Sequence, residues 1–258
     1  MSPDEAKAYV YDRFPFYQYM DDATDSYDTV AKTVLKFLRK GDRILDFGSG
    51  PCDKTAVVQA LGFQCTAYDD LSDEWHMQED NREQIINFAS EVGIDFKLAT
   101  GSEMPFEEES FEMVMLHDVI EHFHDSPREL ANQLISLIKP NGYLFILVPN
   151  AVNIRKRISV AFGRTNLPPY ESYYWSPGRW RGHVREYVKD DLVRFTEYTG
   201  LELAELRSCH HMLRVLSPRV RPFYVALTKV FPGWRDSWLL VAKKPEDWSP
   251  ATYRAQAA

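Results

Sequence analysis

The sequence predicts a layered α/β domain on a doubly wound, mostly parallel sheet. Three observations predict it. Apolar, β-compatible runs alternate with stretches of helical periodicity from about residue 40 onward. The first such run, Arg43-Ile-Leu-Asp46-Phe47, leads directly into Gly48-Ser49-Gly50 and a helix start. The second, Gln64 to Tyr68, ends on Asp69, about twenty residues beyond the glycine turn, the spacing of a ribose-binding acid in nucleoside-binding folds.

Taken in order, residues 1–40 form a helical cap, with periodicity clearest from Thr29 to Lys40. Trp75 to Val92 and Ser126 to Ile138 read as helices, the second opened by a Ser126 cap with Pro127 at its first position. Residues 41–150 hold the alternating strands and form a cofactor-binding half. About forty residues follow before a helix near Asp190, too many for a plain connection, so 151–190 is a lid insertion. Leu201 to Cys209 and Trp238 to Lys243 are two final strands within 191–244, and the tail 245–258 is expected to fray. The whole is read as one domain, since 258 residues with 45% hydrophobic content bury one sizeable core.

The glycine turn and Asp69 carry the first chemical inference. Glycine allows positive φ and leaves the backbone bare for a ligand beside a helix N-terminus. A carboxylate ending the second strand accepts ribose hydroxyls, so the pair indicates a nucleoside-bearing ligand. No Walker loop is present, and Asp53, where a dinucleotide fingerprint has its third glycine, would repel a pyrophosphate.

What remains, acidic-x-Gly-x-Gly, resembles the first motif of the class I S-adenosylmethionine-dependent methyltransferases, with Cys52 in place of the family's third motif glycine. The likeness continues in order. Phe96-Lys-Leu-Ala-Thr-Gly-Ser-Glu-Met-Pro-Phe106 is similar to the third strand and adenine-side loop, and Glu109 to His122 to the fourth strand and its active-site edge. Ile138-Lys-Pro-Asn-Gly-Tyr-Leu-Phe-Ile-Leu-Val-Pro-Asn150 resembles the fifth strand, and Gly182-His-Val-Arg-Glu-Tyr187 a segment found in glycan and natural-product methyltransferases. The resemblance implies a seven-stranded Rossmann-like sheet with its last strand antiparallel, and S-adenosylmethionine as cofactor. It implies that Asp46, Gly48, Ser49 and Gly50 face the methionine end, Asp69 and Asp70 the ribose, and Ser102, Glu103 and Met104 the adenine side, with Leu116 and His117 of the fourth strand also on the cofactor. The expected reaction is O-methylation of a sugar, a lipid-linked glycan or a small natural product. A catalytically silent, cofactor-binding scaffold of the same fold is the alternative.

For catalysis, His117, Asp118, Glu121, His122 and His124 cluster after the fourth strand and His183 arrives from the lid. A hydroxyl acceptor must lose a proton, and imidazole suits that task near neutrality, so His122, His183, His117 and Asp118 are the candidates. No metal is expected. Asp118-x-x-Glu121-His122 nevertheless resembles a motif of two metal-using groups, the ubiquinone-pathway and small-RNA 2′-O-methyltransferases. If a helix starts at Asp118, these three share one face and become a divalent-ion set.

Charge is lopsided: residues 1–150 carry 12 Lys and Arg against 28 Asp and Glu, and residues 151–258 carry 18 against 10. Basic residues and aromatics interleave in the lid, which suits stacking on a sugar or flat ring and pairing with an acidic group. Nucleic acid is not expected as a partner of an acidic chain with so modest a positive excess. Residues 214–234 alternate apolar side chains with Arg219, Arg221 and Lys229, which fits either a helix packed on the sheet or peripheral contact with an anionic membrane. Cys52, Cys65 and Cys209 lack metal-type spacing, and Met1-Ser-Pro-Asp-Glu5 is acidic with no apolar core; both lead to the expectation of a reduced, cytoplasmic protein.

Overall fold

The computed structural model describes residues 1–16, 20, 24–101, 104–211, 213 and 216–253. The elements in chain order are α1 (Pro3–Tyr11), α2 (Thr24–Phe37), β1 (Arg43–Phe47), α3 (Asp53–Ala60), β2 (Gln64–Asp69), α4 (Asn81–Glu91), β3 (Asp95–Leu98) and β4 (Phe111–His117). There follow a 3₁₀ turn (Ile120–His122), α5 (Pro127–Ser136), β5 (Ile138–Pro149), α6 (Ile154–Ala161), α7 (Tyr170–Tyr174), α8 (Lys189–Tyr198) and β6 (Glu202–Cys209). The chain closes with α9 (Arg221–Val230), a second 3₁₀ turn (Pro232–Trp234) and β7 (Ser237–Lys243).

The seven strands lie in the order β3-β2-β1-β4-β5-β7-β6, and β7 runs antiparallel to both its neighbours. Strand order reverses beside β1, so a crevice opens at the carboxyl ends of β1 and β4, where α/β sheets bind ligands. Alternation along β1 and β4 sorts the core into two layers. Ile44, Met113 and Met115 face the layer that includes α2 and α3, while Leu45, Val114 and Leu116 face Leu134 and Ile135 of α5. In α2 the spacing of Tyr27, Val30, Ala31 and Val34, all buried, gives the apolar stripe that docks on this layer. Among the described residues no helix is long and apolar enough to cross a membrane.

Three expectations change. The helix expected from Trp75 begins at Asn81, because Glu79 adopts φ 47° and the Asn81 side-chain amide donates to the Trp75 carbonyl (2.8 Å). No helix starts at Asp118, which has φ 59° and leads only into the three-residue 3₁₀ turn. The tail is held through Ala251: Asn132 exchanges two hydrogen bonds with Ala251 (both 2.9 Å), and the Trp248 indole donates to the Thr199 carbonyl (2.8 Å).

Candidate active site

The glycine turn after β1 is built as its sequence demands. Gly48 and Gly50 have φ of +71° and +53°, and a Cβ on Gly48 would lie 2.6 Å from a Val119 methyl. Cys52 also adopts the left-handed region (φ 65°), at a cost of roughly 1–2 kcal/mol, which explains a glycine preference there. Its buried thiol sits 3.6 Å from the Ser49 hydroxyl, and burial pushes its pKa far up, so it fills space as a neutral group.

Asp46 is buried at the end of β1. One carboxylate oxygen accepts from the Thr55 hydroxyl (2.5 Å), while Oδ1 has no hydrogen-bond partner. Burial raises its pKa to about 7. An orphaned, buried carboxylate oxygen beside a bare glycine turn fits the ammonium of a methionine-like group. Asp69 accepts the Gly50 N–H on one oxygen (2.8 Å) and the Leu71 N–H on the other (2.7 Å). These bonds fix the carboxylate and leave a further acceptor site on each oxygen for a ribose diol. Its neighbour Asp70 turns outward and pairs with Arg181 (3.3 Å).

On the adenine side, Ser102 and Glu103 lie outside the described residues. Met104 is half-buried against the α5-side layer, and Leu116 is fully buried there. His117 points into the opposite layer, its ring edge-on to Phe145 at 4.7 Å. Neither ring nitrogen of His117 has a hydrogen-bond partner, and burial followed by the Lys54 charge lowers its pKa to about 3.

The set Asp118, Glu121 and His122 divides. Asp118 turns to Lys54 (3.2 Å) and His211 (3.4 Å), which hold its pKa down at about 2 against the upward push of burial. Without a helix at this point, the three groups do not share a face. His183 takes the place of Asp118: Glu121, His122 and His183 each offer a ligand atom within 4.8 Å of the others. Glu121 is fully buried, with no hydrogen-bond partner on either carboxylate oxygen. Burial and then the Asp118 charge raise its pKa to about 8.

Residues 180–187 complete this cluster. The Val184 N–H donates to the Glu121 carbonyl (2.7 Å), and the Tyr187 hydroxyl donates to the Ile120 carbonyl (3.3 Å). His122 Nδ1 meets the Arg181 carbonyl at 2.6 Å, and His124 Nε2 meets that of Trp180 at 2.6 Å. A carbonyl only accepts, so His122 donates from Nδ1 and turns Nε2 away from this contact. Glu186 binds His183 Nδ1 (2.8 Å) and is itself paired with Lys156. That contact directs His183 Nε2 toward Glu121 Oε1 at 3.9 Å, with the two imidazole rings 4.9 Å apart. Burial, His122 and Lys156 together lower the His183 pKa to about 4, so it is neutral at physiological pH. Residues 180–187 are therefore pinned over the carboxyl ends of β2 and β4. Residues 162–175, by contrast, are largely exposed, with Tyr170 72% and Trp175 74% accessible. Lys54, Lys156, Glu186 and His211 escaped sequence reasoning; only Glu186 carried a signal, its place in the Gly182-to-Tyr187 motif.

A crevice at the strand-order reversal, a glycine turn, the buried Asp46 and the half-buried Asp69 define a nucleoside-binding site of the Rossmann-like class. Residues 16–206 match the methyltransferase domain family, well over half of the chain, and the protein belongs to it. Its sheet and glycine turn are those of the class I S-adenosylmethionine-dependent methyltransferases. An uncharacterized methyltransferase of Schizosaccharomyces pombe is 28% identical over 126 residues, 45% of this chain and 43% of that protein; the match therefore spans under half of its length. Two solved structures share the fold. A methyltransferase of Aquifex aeolicus has TM-score 0.53 and 13% identity, over 94% of this chain and 98% of that one. Phosphoethanolamine N-methyltransferase 2 of Haemonchus contortus, in complex with phosphomonomethylethanolamine and S-adenosylhomocysteine, has TM-score 0.57 and 17% identity, over 84% and 52%.

Proposed function

We propose that this enzyme methylates a hydroxyl of a small or sugar-containing acceptor, which binds between the pinned part of the lid and the carboxyl edge of β4. The observation that carries this reading is His183: neutral, oriented by Glu186, with its free Nε2 beside the buried Glu121. S-adenosylmethionine supplies an electrophilic methyl on its sulfonium. Asp46 Oδ1 would hold the ammonium and Asp69 the ribose, leaving the lid to align the acceptor and exclude water. As the acceptor oxygen forms its new bond, its proton passes to His183 Nε2. The resulting imidazolium lies between Glu186, which binds its Nδ1, and Glu121, which lies beside its Nε2. Neighbours with pKa values driven apart, about 4 and about 8, form the kind of acid–base pairing this needs. The exposed aromatics Tyr170, Tyr173, Tyr174 and Trp175 suit a sugar face or a flat ring.

A methyl-labelled cofactor, offered with activated sugars, lipid-linked glycans and phenolic compounds, tests the reading. Label on a hydroxyl oxygen of one class supports it; label on nitrogen or sulfur across the panel overturns it.

A second reading is favoured by the 4.8 Å convergence of Glu121, His122 and His183. Glu121, His122 and His183 would hold a divalent ion, which would polarise the acceptor hydroxyl. Elemental analysis of the purified protein, before and after a chelator, decides it: a stoichiometric ion lost together with activity supports the metal, and full activity without one removes it.

A further inference from the structure

We infer that the rim formed by α6 and α9 rests on an anionic phospholipid bilayer, with the mouth of the site turned toward it. This goes beyond the reading of the reaction and does not depend on it.

Both helices leave part of their apolar side chains facing outward. α6 buries none of its residues: Ile158 and Val160 are 50% and 55% exposed, and Phe162 and Leu167 just beyond reach 79% and 63%. α9 buries Tyr224 and Thr228 while Phe223 and Val230 stand 77% and 70% exposed. A helix on a protein surface normally turns that stripe inward, and apolar groups gathered outward mark an interaction face.

The two helices leave one place in the fold. Asn150, at the end of β5, receives the Val152 N–H on its side chain (3.0 Å) as the chain enters α6. Its amide donates to the carbonyls of Gly233 (2.9 Å) and Arg235 (2.8 Å) in the turn after α9. Arg155 of α6 lies near enough to Tyr224 of α9 for its charge to act on the phenol. Since β6 ends and antiparallel β7 begins at the carboxyl edge of the parallel strands, both helices border the crevice that holds the site.

Charge identifies the occupant. Between residues 154 and 183 stand six Lys or Arg against Glu171 alone; Lys156 pairs with Glu186 and Arg181 with Asp70 and Asp73, which leaves Arg155, Arg157, Arg164 and Arg179, and between 216 and 234 stand Arg219, Arg221 and Lys229 with no acid. The whole chain carries −8, so this is a local inversion of sign. Apolar side chains that enter the acyl boundary, flanked by cations that meet lipid phosphates, are what an interfacial helix needs. A second copy fits less well, because a two-fold contact would set this positive face against itself.

Co-sedimentation with vesicles of phosphatidylcholine, alone or with about one third phosphatidylglycerol, tests the inference. The protein should bind the anionic vesicles at least about tenfold better than the neutral ones, and lose most of that binding in high salt. Phe162→Ser with Phe223→Ser should weaken binding about tenfold, and Arg164→Glu with Arg219→Glu should abolish the anionic preference. All variants should keep the wild-type thermal midpoint, since these side chains are exposed. Equal or absent sedimentation on both vesicle types overturns the inference. So does a wild-type dimer that Phe162→Ser with Phe223→Ser converts to a monomer, because a second copy then covers the face.

Discussion

Replacing Asp46 by Asn removes one charge at a buried position and leaves the shape almost unchanged. In the wild type that carboxyl has a pKa of about 7, against an ordinary value of 3.8, because burial disfavours its charge. A carboxyl raised in the fold costs no stability below its unfolded pKa, and a growing amount as pH climbs through the interval to the folded value. A displacement of that size corresponds to about 4 kcal/mol at most, fully present above neutrality. In the ligand-free protein, Asp46→Asn should therefore raise unfolding free energy at pH 8 by up to ~4 kcal/mol and change little near pH 4. Binding should go the other way. Only ionised Asp46 forms a charge-assisted bond to the cofactor ammonium, worth ~1.5–3 kcal/mol, so affinity at pH 8 should fall ~10–150-fold in the variant. Wild-type affinity should rise from pH 6 toward 7.5 with proton release, then level off as the cofactor's own α-amino group, near ~7.7–8.0, begins to titrate. Titration calorimetry in two buffers of different ionisation enthalpy counts those protons, and urea unfolding at pH 5 and pH 8 reads the stability. A wild-type affinity flat with pH, or a variant that binds as tightly at pH 8, would refute the reasoning.

Other outcomes follow from the same site. Asp69→Ala should weaken S-adenosylmethionine binding by ~1.5–3 kcal/mol per bond lost and also lower the thermal midpoint, because the Gly50 and Leu71 amides lose their acceptor; unchanged calorimetric affinity would place the ribose elsewhere. His183→Ala should cut kcat by ~10²–10⁴-fold at constant cofactor affinity, while retained turnover would leave Asp118, Glu121 or alignment alone to account for the rate. With its pKa lowered to about 4, His183 is deprotonated across the neutral range, so at saturating cofactor the wild-type rate should show no acid limb near pH 6.5 and fall only as pH drops toward 4. Limited proteolysis of the free enzyme should cut within 162–179 and spare 180–187, whose backbone is tied to Glu121, His122 and His124; cleavage confined to 180–187 would contradict the pinned geometry.

Much of the fold was legible because it rests on local patterns. Alternation marked the strands, paired glycines marked the turn after β1, and Ser126-Pro127 marked the start of α5. The histidines His122 and His183 were separately visible, one from each motif, and the fold brings their rings within 4.9 Å. What failed depended on backbone detail or long-range charge. The helix at Asp118 fails because one residue takes a left-handed φ, which nothing in its side chain announces. The removal of Asp118 from the Glu121 cluster depends on Lys54 and His211, which lie far from it in sequence on either side. The tail looked free because its composition is loose; its order comes from Asn132 and Thr199, which no local pattern links to residues 248–251.

Asn150 fixes the manner in which this enzyme admits and releases molecules. Because it binds both the entry to α6 and the turn after α9, the upstream root of the lid cannot hinge without dragging the start of β7 with it. The downstream root is equally anchored, since Ala151 donates to the Tyr187 carbonyl at 3.0 Å and Val184 to that of Glu121. A door swung from one jamb is thus ruled out by the hydrogen bonding. The segment between is a cord strung between two posts, so any opening has to come from slack in its middle. Traffic would then pass sideways beneath residues 162–179, where the breadth of a molecule, more than its length, decides whether it enters.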